Sequence, residues 1–570
     1  MEFWKKSLSI AALVAVVPIW TAAQDTQQSE TQAPASALDQ IIDHVAAQEQ
    51  HEVQMLRRYN PIVETYIQDM KPDRELGMVP AKDHYFLSVA DLSKGVSERS
   101  MVDKQKKSGK FSKLNPLNMG GLLSSDYIPE GFLEMIYVDP AGFNRQNYNF
   151  DYVRREFLGE VRCFVFDVTP KPHSGKGRFL GRIWVEDQGY NVVRFNGVFT
   201  PQVNTFTLNL HFDSWRQNVA PNIWVPSYVF SEESDLRDAL FTHVRFKAQT
   251  RLWGYNVRGG SHEEEFSELK VESPTIQDQS PAASTDSSPL QSERQWQHEA
   301  EQNVVDKLQR SGLIAPPGEV DKVMDTVVNN LEVTNNLDIQ PEIHCRVLLT
   351  TTLESFSIGH TIVISRGLLD VLPDEASLAV ILAHEMGHVM LGQPLDDRYA
   401  FNDQTLFATQ DAFRALTFRS NEHDEAAATA KSLELLKNSP YKDKLATAGL
   451  FMKQLDAEQK ALPALISGHL GSRVSVNTQI EQAAPAPDAK KLDQVAALPL
   501  GSRVKLDPWN DRLELVKSKT PVILSEREKM PFEVAPFFPY LTRYATPAAT
   551  SPASTEPAKA DVAKKDPQSN

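Results

Sequence analysis

The order of apolar and polar positions divides the chain into three parts. Leu38, Ile41, Ile42, Val45, Val53 and Leu56 recur at helical spacing, which predicts one amphipathic helix over 37–59, ended by Asn60-Pro61. From about 63 to 255 the period shortens to that of strands. The clearest runs are 133–138, 161–168, 181–186, 192–198, 206–212, 224–230 and 242–248, rich in β-branched and aromatic residues. Turn residues such as Asp139-Pro140, Ser174-Gly175 and Asp187-Gln188-Gly189 separate them. Strands in such close succession predict an antiparallel sheet, and one helix before it suits a half-barrel wrapped round that helix. From 296 to about 470 helical spacing returns, and a short β or irregular segment follows over 498–544. The expected fold class is α+β.

Between these parts the pattern lapses. Residues 257–292 combine an acidic run with Ser, Pro and Thr, which reads as a flexible linker. The tail beyond 545 is rich in Ala, Pro, Ser, Thr and Lys and reads as disordered. At the other end, Lys5 and Lys6 precede an apolar stretch over 7–20 and the small residues Thr21-Ala22-Ala23. That is the pattern of a secretory leader, with cleavage expected after Ala23. The expected division is a signal peptide at 1–23, a sheet domain at 38–256, the linker at 257–292, a catalytic domain at 293–475, an extension at 476–545 and a tail at 546–570. Such a chain would be periplasmic or secreted, with no transmembrane segment once the leader is removed.

Composition narrows the function. The 570 residues carry Lys+Arg 59 against Asp+Glu 75, a net charge of −16, which argues against a nucleic-acid partner. With Cys163 and Cys345 the only two cysteines, neither a disulfide scaffold nor a zinc site of several thiolates can be built.

The chemistry lies at 373–390. Pro373-Asp374-Glu375 fits the first turn of a helix whose apolar positions include Leu378, Ile381, Leu382, Met386, Val389 and Met390. His384 and His388 stand four apart, one turn from each other on one face. Two neutral imidazoles so placed can grip one Zn²⁺, and Glu385 beside them can take a proton from an activated water. HExxH thus carries two ligands and a general base in five residues. Two rings and a carboxylate among apolar neighbours are costly unless something pairs them, and a metal does. The third ligand must come from elsewhere. A second helix after Ser420 or Asn421 offers Glu422, Asp424 and Glu425, among which spacing alone does not choose.

Two resemblances extend this reading. The run at 161–199, with "GRIWVED" at its centre, resembles the LolA-like lipoprotein-carrier fold over about 38–256, which implies a concave sheet able to hold lipid or a lipoprotein. The run "VISRGLLDVLPDEASLAVILAHEMGH", followed by a helix bearing "ExxA…LL…SPY", resembles the M48 zinc peptidases, the group of the CAAX prenyl, HtpX-type and BepA-type proteases. That resemblance covers about 300–475 and implies a mainly helical gluzincin fold acting on polypeptide substrates. It places the third ligand at Glu425, with Ala428 matching the family Ala and Thr429 standing where the family has an Asp that orients a zinc-ligating His. Glu354-Ser355-Phe356 replaces the family's Asn-Ala-Phe, and the strand 360–364 resembles the edge along which substrate lies. His469 and Arg473 resemble a late family element. Either could stabilise an oxyanion, His469 could ligate zinc at rest, and the plainer expectation for His469 is an exposed loop residue. The expected activity is that of an exported zinc metalloendopeptidase with His384, His388 and Glu425 as ligands and Glu385 as catalytic base. The rival expectation is a non-catalytic envelope chaperone or lipid-binding factor with a latched zinc site.

Overall fold

The computed structural model describes residues 37–73, 77–101, 127, 129–200, 210–233, 245–255, 289–392, 416–474, 480, 498–500, 504–507, 512–515 and 541–544. The leader, most of the linker and the tail lie outside the described residues. Among the described residues no helix is long and apolar enough to cross a membrane.

The first helix, α1 (Ala37–Leu56), stops before Pro61, where the chain turns into strands. These are β1 (Ile62–Asp73), β2 (Gly77–Asp91), β3 (Ser97–Ser100), β4 (Tyr148–Leu158), β5 (Val161–Pro170), β6 (Phe179–Glu186), β7 (Val192–Phe199), β8 (Leu210–Ala220), β9 (Ile223–Glu233) and β10 (Arg245–Trp253). They form one ten-stranded sheet, ordered β3-β2-β1-β10-β9-β8-β7-β6-β5-β4, and the registered pairs are antiparallel throughout. The segment 133–138, expected as a strand, is instead helical: α2 (Pro129–Leu133) and a 3₁₀ turn, Glu134–Ile136. Its apolar residues serve as a lid, since Phe132, Leu133, Met135 and Ile136 are buried against the sheet.

Alternation along each strand gives the sheet two different faces. One carries Val63, Ile67, Phe166, Phe179, Phe195 and Phe212, and packs under α1 and α2. A buried ion cluster ties α1 down on this face: Arg216 of β8 bonds the Glu49 carboxylate, with Nη2 to Oε2 at 2.9 Å, and Glu52 at 3.1 Å. Side chains of the strands and of the two helices therefore pack together on this face.

The opposite face presents Tyr66, Tyr85, Trp184, Trp215, Tyr228 and Phe230, and shares one continuous core with the C-terminal part. Polar groups on β1, β2 and β10 cross that junction. Glu64 accepts the Thr351 amide at 2.6 Å and the Tyr85 hydroxyl at 2.8 Å, while Arg251 donates to Thr351 Oγ1 at 2.9 Å. Asp83 accepts the amides of Ala464 and Leu465 at 2.9 and 2.8 Å. These buried polar groups broke the hydrophobic alternation that marks a strand, which hid β1 and β2 among the clearest strand runs.

The C-terminal part is mainly helical: α3 (Pro289–Arg310), α4 (Glu319–Thr334), α5 (Arg366–Val371), α6 (Glu375–Met390), α7 (Glu422–Lys437), α8 (Leu445–Glu458) and the single turn α9 (Pro463–Ile466). It also holds a small sheet of β11 (His344–Leu348), β12 (Glu354–Ile358), β13 (Thr361–Ser365) and β14 (Ser472–Arg473), ordered β11-β13-β12-β14. The strand expected at 360–364 as an edge is β13, which lies inside this sheet, parallel to β11 and antiparallel to β12. Gly359, at φ +55°, makes the tight β12–β13 turn that puts β12 outside it. A last hairpin, β15 (Val504–Asp507) and β16 (Arg512–Leu515), follows. The fold is mixed α+β.

Candidate metal centre

Two helices build the site. α6 starts where Asp374 accepts the Ser377 amide at 2.8 Å, and it is buried almost all round. α7 starts where Asn421 accepts the Asp424 amide at 2.9 Å, which aims its first turn at α6. Glycine sets the approach: a methyl at Gly387 would stand 2.7 Å from the Ala428 carbonyl oxygen.

His384, His388 and Glu425 converge, with one ligand atom from each within 4.8 Å of the others. His384 Nε2 lies 3.1 Å from both His388 Nε2 and Glu425 Oε2, and His388 Nε2 lies 3.8 Å from Glu425 Oε1. Donors on a tetrahedron ~2.1 Å from one zinc would stand roughly 3.4 Å apart, so the spacings suit such an ion. Glu425 Oε1 is buried without a hydrogen-bond partner, an acceptor turned into the cluster. The donor set of two imidazoles and a carboxylate fits zinc. Glu422 and Asp424, the other carboxylates at this helix start, do not join the cluster; Asp424 is held at the cap by Asn421.

Glu385 is buried, and Ser355 Oγ of β12 donates to its Oε1 at 2.6 Å. Burial pushes the Glu385 carboxyl up to about 7, against the pull of His384 and of the Ser355 hydroxyl. Burial would also raise Glu425. The hydrogen bonds of His384 and Ser472 and the charge of the two imidazoles outweigh it and hold that carboxyl below its ordinary range. Thr429 Oγ1 faces His384 Nδ1 at 3.5 Å, on the far side of the ring from the cluster.

Residues 322–442 match the profile of Peptidase family M48. Over that segment the chain is similar to peptidase family M48. The M48 segment contains His384, Glu385, His388 and Glu425, together with Ser355 and Thr429, and it ends before β14. A comparison with curated proteins found no match. Among solved structures, a LolA superfamily protein from Nitrosomonas europaea is similar at 11% identity and a TM-score of 0.21, over 38% of this chain and 96% of that one. A DUF1329 family protein from Desulfovibrio piger is similar at 11% identity and a TM-score of 0.18, over 38% of this chain and 94% of that one.

His360, His469 and Arg473 are not among the groups that converge at this cluster. His360 sits at the β12–β13 turn, 3.4 Å from Glu301 through Nδ1. His469 is neither exposed nor among the cluster's ligand atoms: its ring stacks on Tyr85 of the large sheet, centroids 4.4 Å apart, and burial lowers its pKa. Arg473 pairs through its backbone with Glu354. The site also uses residues that spacing did not flag. Ser355 and Ser472 are register partners across β12 and β14, and Ser355 bonds Glu385. The departure of Glu354-Ser355-Phe356 from the family pattern was the available signal for the first. The second had none.

Proposed function

We propose that the chain is an exported zinc-dependent metalloendopeptidase acting on envelope or misfolded proteins. The observation that carries the reading is the convergence of His384, His388 and Glu425 at tetrahedral spacing beside a buried Glu385. His384, His388 and Glu425 would hold the ion. When bound, zinc supplies Lewis acidity that polarises a carbonyl oxygen and acidifies a water. Glu385 takes the proton of the attacking water and passes it to the departing amine. Its burial favours this role, because a base whose pKa lies near neutrality can both accept and return a proton. Ser355 fixes the carboxylate's direction, and Thr429 Oγ1 faces the His384 ring only at 3.5 Å. The leader at 1–23 supports export, and the lack of further thiols suits an ion held by nitrogen and oxygen in a thiol-poor compartment.

The experiment is zinc analysis of the purified chain together with digestion of unfolded casein, beside Glu385→Gln. Stoichiometric zinc in both and cleavage by the first alone is the expected result. No zinc, or equal and negligible cleavage, would reject the reading. The lipid-carrier reading of the sheet would require the packing of α1 and α2 on Val63, Ile67 and Phe212 to open.

A further inference from the structure

We propose that two copies of this chain pair through β4, antiparallel and edge to edge, so that their large sheets run together across a two-fold axis between Tyr152 and Val153. The proposal concerns a surface of the N-terminal sheet and does not depend on the peptidase reading.

The two ends of the ten-stranded sheet differ. One is β3, only four residues long and polar throughout, a poor template for another strand. The other is β4, eleven residues long and paired, among the described residues, with β5 alone. A long edge strand offers a row of backbone amides and carbonyls for pairing. β4 also holds large apolar side chains in water: Tyr152 is 48% exposed, Val153 36% and Phe157 57%. Apolar side chains gathered along one edge mark a contact surface.

A second copy is the occupant because the charges on β4 match themselves. The register of β4 with β5 slips between Tyr152 and Arg154, so odd and even residues exchange faces there. Before the slip, Tyr152 packs on Phe166, on the face beneath α1 and α2. After it, Arg155 lies on that same face, 5.0 Å over the Phe164 ring. Arg154 and Glu156 lie on the other face, 2.6 Å apart, and Trp184 Nε1 donates to Glu156 at 3.1 Å. Asp151, next to Tyr152, shares the face of Arg154. Residues directly opposite each other must share a face, and a two-fold between Tyr152 and Val153 meets that condition. It sets Asp151 opposite the partner's Arg154 and Phe150 opposite the partner's Arg155, and symmetry makes each pair twice. With the axis one residue nearer Leu158, Asp151 would meet the partner's Glu156, two like charges, so the sign pattern selects the first register.

Charges and bulges are also the means by which edges are kept apart. A row of one sign does this, because it repels its own copy. β4 instead carries Asp151, Arg154, Arg155 and Glu156, both signs on one strand, and the two-fold turns Asp151 and Arg154 into opposite pairs. The slip at Val153 would put an unrelated strand out of phase with β4. In a second copy the same slip lies at the same place, so the two strands stay in phase on both sides of the axis.

The test follows the full chain by sedimentation equilibrium, beside Asp151→Arg and Arg154→Asp. The unsubstituted chain should form a particle of two chains as its concentration rises, and amide exchange over 149–156 should slow with it. Each variant alone sets like charges opposite each other at two places and should associate at least about tenfold more weakly. An equal mixture of the two variants should regain the association, since each mixed pair again opposes Arg to Asp at both places. A single-chain particle at every concentration would overturn the proposal. Slow exchange over 149–156 in that particle would mean that another segment of the same chain covers the edge. Association that leaves exchange over 149–156 unchanged, or that neither variant weakens, would overturn it too, because the contact would lie elsewhere. A mixture that regains nothing would reject the two-fold register. The exchange measurement uses the unsubstituted chain, so the location of the contact is decided even where a variant folds poorly.

Discussion

Gly387 lies so close to Ala428 that a methyl on it would stand 2.7 Å from the Ala428 carbonyl oxygen and 3.0 Å from its Cα. The glycine of HEMGH is therefore the point at which α6 and α7 touch backbone to backbone. That contact brings Glu425 within reach of His384 and His388. Alanine favours an isolated helix by about 1 kcal/mol over glycine, but here the clash with main-chain atoms decides the sign, and overpacking costs about 1–3 kcal/mol. Gly387→Ala should weaken zinc binding at least about tenfold, in a competition titration against a chelating dye, and lower the melting temperature. Unchanged zinc affinity would show that the helix spacing does not set the site.

Thr429 gives a change in the opposite direction. Its hydroxyl lies 3.5 Å from His384 Nδ1, too far and too weakly basic to fix the ring as a carboxylate would. Partners of a ligating imidazole typically alter metal affinity or activity roughly 10–100-fold. Thr429→Asp should tighten zinc binding several-fold, and Thr429→Val should weaken it. Equal affinities across the three forms would mean that the ring is held by its packing alone.

Much of this centre was legible in the sequence, and the reason is local. His384, Glu385 and His388 sit in one helical turn, so their geometry follows from a period of 3.6 residues. Glu425 could be chosen only through the family resemblance, because the bond between α6 and α7 is tertiary. The sheet was legible where strands alternate cleanly, as in β5 to β7. It was not legible in β1 and β2, where Glu64, Gln68 and Asp83 point into the junction with the C-terminal part. Residues 133–138 misled because Phe132, Leu133, Met135 and Ile136 are apolar enough for a strand yet serve as a helical lid. The place of His469 depends on Tyr85, far away in sequence, and no spacing rule reaches that far.

Ser355 is the next test. Its hydroxyl donates to the buried Glu385 carboxylate at 2.6 Å, and a hydrogen bond to a charged group contributes about 1.5–3 kcal/mol. If the bond holds Glu385 in its working direction, Ser355→Ala should lower kcat about tenfold, with KM and zinc content unchanged. Ser355→Thr, which keeps the hydroxyl, should recover most of the loss. A fall in zinc content instead would place the role of Ser355 in building the site rather than in orienting the base.

The Arg216 cluster predicts how stability depends on pH. Arg216 is bidentate to Glu49, and Glu52 is a second carboxylate facing the same guanidinium, with Tyr137 and Tyr255 also close enough to interact. Burial raises Glu52 from 4.5 to about 8, an upward shift that Arg216 only partly offsets and Glu49 adds to. The folded state therefore holds a proton that the unfolded chain releases between about 4.5 and 8. The stability linked to this proton is fully present below the unfolded value and is lost as pH rises towards the folded one. Glutamine at this position cannot ionise and keeps the neutral form's hydrogen-bonding capacity. Glu52→Gln should match the unsubstituted chain near pH 5 and become the more stable of the two as pH rises, by about 2–4 °C in melting temperature at pH 8 for each 1 kcal/mol gained. The opposite trend, with the variant losing ground as pH rises, would mean that Glu52 is ionised in the fold and that Arg216 needs both carboxylates to hold α1 on the sheet.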